Sequence, residues 1–110
     1  MPVLARHIER AGIPTVVVTM MPDLAAWVLA PRVVGVEFPF GHSFGMPGDD
    51  RTHRRVLDTA LTVLAGASSF GTRVDIDAPW PQPRGEAYKS WQPPVPSPIV
   101  QMMLDRQKEQ

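Results

Sequence analysis

Two short runs decide the fold, Thr15-Val16-Val17-Val18-Thr19 and Arg32-Val33-Val34-Gly35-Val36-Glu37-Phe38. Both are rich in β-branched residues with little polar alternation, a pattern typical of strands that are buried on both faces of a parallel sheet. Between them, Pro22 and Asp23 begin an apolar segment that ends at Pro31, as expected of a helix with proline and a carboxylate in its first turn. This order predicts a small layered α/β domain, with a short parallel sheet flanked by helices.

Further helices are predicted on either side of this unit. Residues 2–11 carry apolar side chains at helical spacing and are followed by Gly12. Asp49 and Asp50 are both able to cap a longer helix, whose apolar stripe ends near Gly66. The core domain is therefore expected to span residues 1–70.

A proline-rich arm is predicted for residues 71–110. The chain has 13 prolines in 110 residues, and seven of them fall between Pro79 and Pro98, which excludes ordinary helix or central strand for much of that stretch. Thr72 to Ile76 is able to form a short strand, and Pro98 to Lys108 a terminal helix.

Three large aromatic residues argue that this arm packs on a surface. Trp80, Tyr88 and Trp91 lie in it, and disordered tails are usually poor in aromatics. The surface is expected to belong to a partner chain, with the arm's own domain as the alternative.

Composition narrows the function classes. Eleven basic residues balance eleven acidic ones, so no net charge attracts nucleic acid or an anionic membrane. No apolar run approaches the roughly 18 residues of a membrane span and no secretory signal is apparent, so a cytoplasmic location is expected. The absence of cysteine excludes disulfides, thiolate metal sites and a cysteine nucleophile in this sequence.

A ligand cleft is predicted where the two strands end, because ligands of parallel α/β sheets bind beyond the carboxyl ends of the strands. The expected substrate-binding residues come from the loops after the strands and from the second strand itself: Thr19, Met20, Arg32, Gly41, Ser43 and Gly45. The amides near Gly41 and Gly45 would hold a carboxylate, with Arg32 in support if its side chain turns inward.

His42 is the candidate catalytic residue, since an imidazole in a glycine-rich loop suits general acid or base chemistry. The alternative is a surface histidine of the loop, because no partner residue is identifiable in the sequence. His42, Asp49, Asp50 and His53 match no established metal-ligand spacing, so no metal site is expected. P-loop, GxGxxG and GxSxG patterns are also missing from the sequence.

Several segments, in this order, resemble the selenoprotein B family, a component of glycine, sarcosine, betaine and D-proline reductases. The segments are Ile8-Glu9-Arg10-Ala11-Gly12-Ile13-Pro14-Thr15-Val16, Pro22, Pro31-Arg32-Val33-Val34, Pro39 through Gly45 to Pro47, Glu86-Ala87-Tyr88-Lys89-Ser90-Trp91 and Ser97-Pro98-Ile99-Val100. They cover most of the chain, and each is short, so their order carries the resemblance.

The resemblance implies a reductive chemistry that this sequence cannot perform alone. Members of this kind use a selenocysteine or cysteine, placed upstream of the segment that matches Gly12 to Val16, to attack a substrate carbon that bears an amine and so cleave the C–N bond. This sequence lacks that residue and looks like the carboxyl-terminal half of the family unit. Either a partner subunit carries the amino-terminal half and its thiol or selenol group, or the chain has lost the chemistry.

Three functional hypotheses remain open. The first is a small subunit of a reductase-like enzyme that forms part of a pocket for a small substrate, with no cofactor of its own. The second is a non-catalytic interaction or assembly subunit of a hetero-oligomeric complex. The third is an enzyme of the same fold with another reaction, such as a lyase or a substitution at a metal held partly by the partner.

Overall fold

The computed structural model describes residues 1–90 and 93–108. Trp91, one of the aromatic residues predicted for the arm, lies outside the described residues. The elements in chain order are α1 (Pro2–Arg10), β1 (Val17–Thr19), α2 (Pro22–Trp27), β2 (Arg32–Val36), α3 (Asp50–Gly66), β3 (Thr72–Ile76), α4 (Arg84–Ser90) and α5 (Pro98–Lys108).

The three strands form one parallel sheet in the order β1-β2-β3, which confirms the predicted small α/β domain. On one side of β2, Val33 pairs with Val17 of β1, and on the other side, Gly35 pairs with Asp75 of β3. The third strand lies beyond residue 70, where the core was expected to end. It belongs to the core sheet because it pairs along the whole of β2 and buries Ile76.

Helices cover β2 on both faces. Val33 packs with Ala5 of α1 and Ala25 of α2 on one face. On the other, Val34 and Val36 pack against α3, whose buried stripe consists of Val56, Ala60 and Val63. Consecutive residues of a strand point to opposite faces, so Val33 supplies one core and Val34 and Val36 supply the other.

A carboxylate fastens α1 to the amino ends of two strands. Glu9 Oε2 accepts hydrogen bonds from the amide and the hydroxyl of Thr15, at 2.7 and 2.8 Å. Its Oε1 pairs with Arg32, the first residue of β2. Burial alone would raise the pKa of Glu9, but the hydrogen bonds from Arg32 and Thr15 outweigh it and lower that pKa.

Leucine occupies a position that normally favours glycine at the end of α2. Leu29 has φ 61°, and the bonds Leu29 N–H to Ala26 O and Ala30 N–H to Ala25 O form a Schellman motif around it. The left-handed conformation costs a non-glycine residue about 1 kcal/mol. More than half of the Leu29 side chain is nevertheless exposed.

The predicted arm divides into two parts. Its first part folds back on the domain, because Trp80 contacts Phe38 with ring centroids 5.2 Å apart and Ala87 of α4 is buried. Every described residue of α5 is exposed. The radius of gyration of 17.5 Å exceeds the roughly 13 Å expected of a compact chain of this length, as a projecting α5 would cause.

Within residues 1–90 and 93–108, no helix has both the length and the apolar character needed to cross a bilayer.

Replacing Glu9 with glutamine is expected to lower the free energy of unfolding by about 2 kcal/mol, because Arg32 then keeps a partly buried charge without its counterion. Asp58→Asn is the control. Its carboxylate lies 3.8 Å from Arg54 on an exposed helix face, so the expected change is below about 0.5 kcal/mol. Urea denaturation at pH 7 measures both.

The same variant should flatten the acid limb of the stability profile. The folded pKa of Glu9 lies below its ordinary value of 4.5, so its contribution is complete above that value and is lost as the pH falls through the folded pKa. Equal acid sensitivity of wild type and Glu9→Gln would show that the Glu9 contacts do not contribute in solution.

Candidate functional site

An open groove of about 940 Å³ lies at the carboxyl edge of the sheet. Its walls come from the start of α2, the ends of β2 and β3, the segment after β3, and α4. The lining residues used below are Met20, Asp23, Gly35, Glu37, Phe38, Arg73, Asp75, Asp77, Trp80, Arg84 and Tyr88. The predicted place of a ligand cleft in a parallel sheet therefore contains a cavity.

Gly35 makes room for the floor of this groove. A Cβ atom at this position would overlap the carboxylate of Asp75, and it would come within 2.8 Å of the Pro22 Cβ. The absence of a side chain lets the Asp75 carboxylate approach the middle of β2 and lets α2 begin close to the sheet.

Arg73 links the two walls of the groove. Its guanidinium donates to Asp75 at 2.8 to 3.1 Å and to Asp23, at the start of α2, at 2.6 Å. These hydrogen bonds raise the pKa of Arg73 further above its usual value. Arg73 and Asp75 lie two residues apart on β3, so both point to the same face.

The groove is negatively charged overall and partly aromatic. Four carboxylates and two guanidinium groups line it. Arg73 is paired with Asp23 and Asp75, whereas Glu37 and Asp77 have no ion pair within the described part of the chain. Arg84 lies 5.5 Å from the ring centroid of Tyr88. Such a groove suits a small cationic group, which carboxylates and aromatic faces both attract.

The glycine-rich loop after β2 packs on the start of α3. His53 Nε2–H donates to Met46 O at 2.7 Å. The Asp49 carboxylate caps α3 by accepting from the amide and hydroxyl of Thr52 at 3.1 and 2.6 Å, which lowers the pKa of Asp49. A Cβ atom at Gly45 would come within 2.8 Å of the Thr52 side chain, so this loop is fitted closely to the helix.

Of the predicted site residues, only Met20 lines the groove. His42 reaches it indirectly, since its ring lies 5.4 Å from the ring centroid of Trp80, which forms part of the lining. Thr19 accepts a hydrogen bond from Met21 N–H at 3.0 Å, next to the groove but outside its lining.

The remaining predicted residues lie elsewhere. Gly41, Ser43 and Gly45 stay in the loop beside α3, and the amide of Gly45 already donates to His42 O at 2.9 Å, so it is not free for a carboxylate. Arg32 lies at the other end of β2, about 13 Å away along the strand, and pairs with Glu9 instead of turning toward the cleft.

The charged residues of β3 are not among the predicted site residues, because the predicted arm includes this strand. The alternation in Thr72-Arg73-Val74-Asp75-Ile76 is nevertheless visible, and it places Arg73 and Asp75 on one face. Their proximity to Asp23, fifty residues away, follows only from the order of the strands.

No group of three or more histidine, aspartate and glutamate side chains able to hold a metal occurs in residues 1–90 and 93–108. Comparisons of this chain with protein-family models, curated proteins and solved structures found no match.

Gly35→Ala is expected to destabilise the protein by about 1–3 kcal/mol and to displace Asp75 from Arg73, because the added methyl group collides with two neighbours. Gly66→Ala is the matched control. Nothing lies within 4 Å of its added methyl group at the end of α3, so it should be neutral or stabilising. Thermal unfolding and NMR chemical shifts of β3 measure the effects. Equal stability of the two variants would show that the close packing at Gly35 is absent in solution.

Proposed function

We propose that this chain is a small subunit of a reductase-like enzyme and resembles the selenoprotein B component of glycine, betaine and D-proline reductases. The groove at the carboxyl edge of the sheet forms part of the pocket for a small substrate that bears an amine. A partner chain supplies the cysteine or selenocysteine, and the reaction is a reductive cleavage of a C–N bond.

The composition of the groove is the observation that carries this proposal. Its carboxylates outnumber its guanidinium groups, and two of them, Glu37 and Asp77, have no ion pair within the described part of the chain. Phe38, Trp80 and Tyr88 add aromatic surface to the same lining. An ammonium or alkylated ammonium group gains from both features, whereas a free carboxylate gains only near Arg84.

The proposal places the nucleophile on a partner chain, because this sequence contains no cysteine. In the proposed reaction, a thiolate or selenolate attacks the substrate carbon, and the amine leaves with the electrons of the C–N bond. An ammonium group leaves as the neutral amine, because it keeps the bonding pair and loses its positive charge. Two thiols of a partner protein then reduce the thioether or selenoether, supplying two electrons and two protons as they form a disulfide. The groove's part is to bind the ammonium group of the substrate and to hold the adjacent carbon in line with the nucleophile.

His42 has a supporting role in this proposal, because its ring contacts Trp80 and lies outside the lining of the groove. It holds the aromatic wall in place and is a positioning residue. The loop that carries it is fixed on α3 by Asp49 and His53.

Titration with glycine, sarcosine and betaine is expected to shift the NMR signals of β3 and of the Trp80 indole N–H. Asp77→Asn should weaken this binding about fivefold, because it removes an unpaired carboxylate from the lining. Asp58→Asn, which removes a carboxylate from the exposed face of α3, should leave it unchanged. Acetate serves as the anionic control, and the proposed charge preference is wrong if acetate shifts the same signals and the amines do not.

Co-expression with the product of a neighbouring gene that carries the missing cysteine or selenocysteine motif should yield a stable complex by size-exclusion chromatography. A chain that remains a stable monomer in the presence of that product would contradict the subunit assignment.

The exposed helix α5 favours a second candidate function, a non-catalytic assembly subunit. Ile99, Val100, Met102, Met103 and Leu104 are each at least two-fifths exposed on this helix, and a soluble chain seldom leaves such a cluster uncovered. The two candidates differ in the titration above. An assembly subunit forms the complex but does not bind amines in the groove.

A further inference from the structure

A second hollow, of about 350 Å³, lies at the opposite edge of the sheet from the groove. Pro31 and Phe70, which come shortly before β2 and β3, line it together with Leu29. The α1 residues Arg6, Glu9 and Arg10 form its rim. The hollow therefore combines an apolar floor with a charged border.

Leu29 has an exposed side chain and an unfavourable backbone conformation. Its φ of 61° lies in the left-handed region, where glycine would end α2 without strain. The leucine side chain is not needed to fill the core, since it is 54% exposed, and its neighbour Phe70 is 65% exposed. A strained backbone that presents an apolar side chain to solvent points to a function for that side chain.

The charge of the rim is positive. Glu9 is neutralised by Arg32 and hydrogen-bonded by Thr15. Arg6 donates only to the main-chain oxygen of Val28, at 3.2 Å, and Arg10 has no ion pair within the described part of the chain. Two uncompensated guanidinium groups thus border the apolar floor.

We propose that this hollow is a docking surface for an acidic segment of a partner protein, which inserts an apolar side chain between Leu29 and Phe70 and places carboxylates on Arg6 and Arg10. Apolar anchors bordered by arginine are typical of the energetically dominant part of protein interfaces, and the charge of the rim selects a partner of opposite sign. This inference rests on the proposed function, because the acidic segment belongs to the proposed partner subunit.

Leu29→Gly separates binding from folding, because its two expected effects have opposite signs. It relieves the backbone strain and should raise the melting temperature of the isolated chain by roughly 3 °C. It also removes one of the three apolar side chains of the floor and should weaken the complex with the co-expressed partner about tenfold. Leu61→Ala, at an exposed leucine of α3, is the control and should leave the dissociation constant unchanged.

Arg10→Glu should likewise weaken the complex, and the loss should shrink at high salt, since the contact is electrostatic. Unchanged affinity in both Leu29→Gly and Arg10→Glu would overturn the docking surface.

Photo-crosslinking locates the partner independently of affinity. A benzoylphenylalanine at position 70 is expected to crosslink to an acidic segment of the partner, and one at position 61 is not. Crosslinking only from position 61 overturns the docking surface but leaves the subunit assignment intact. Crosslinking from position 70 to a second copy of this chain shows a homodimer and overturns the hetero-partner, and a monomer without crosslinks overturns both proposals.

Discussion

The structure depends on the burial of β2 from both sides. Val33 needs a cover on one face while Val34 and Val36 need one on the other, so helices must lie above and below the same strand. Such burial gives roughly 1.5–3 kcal/mol for each large apolar side chain, and Val33, Val34 and Val36 of β2 are each at most 1% exposed. With β1 and β3 parallel to β2, all three strands end at one edge, and the groove lies there.

The groove exists because the two faces are covered unequally. Arg73 and Asp75 of β3 share the face of Gly35 and Val33, and α2 approaches them with its first turn, where Asp23 pairs with Arg73. The space left beside α2 is closed on its far side by the segment from Asp77 to Trp80 and by α4. A strand covered by a helix is normally apolar on that face, but β3 carries Arg73 and Asp75 there. These two side chains give the groove a polar floor. At the opposite edge, where the strands begin, Glu9 bonds to Thr15 and Arg32. The two edges of the sheet therefore differ in chemistry.

The strands and long helices were predictable because each is encoded locally. The valine runs mark β1 and β2, and Asp49 with its apolar stripe marks α3. A groove lies at the edge where the cleft was predicted, but Met20 is the only one of the predicted site residues in its lining. Loop residues such as Gly45 were assigned to the ligand, whereas packing against Thr52 uses them to seat the loop. The prediction of Arg32 in the cleft conflicts with its place at the amino end of β2, since ligands bind beyond the carboxyl ends of parallel strands. Arg73 and Asp75 are two residues apart on one strand, so their pairing is encoded locally, whereas Asp23 meets Arg73 only through tertiary structure.

In the proposed function, the groove is one half of a composite active site, in which this chain would bind the substrate and a partner chain would carry the reactive sulfur or selenium. The most direct measurement is the release of amine from a small substrate by the reconstituted two-chain complex, with a dithiol as reductant. Release is predicted to require both chains and to fall when Asp77 is replaced with asparagine, but not when Asp58 is. Equal release by the partner alone would contradict the account, because the groove would then have no part in the reaction.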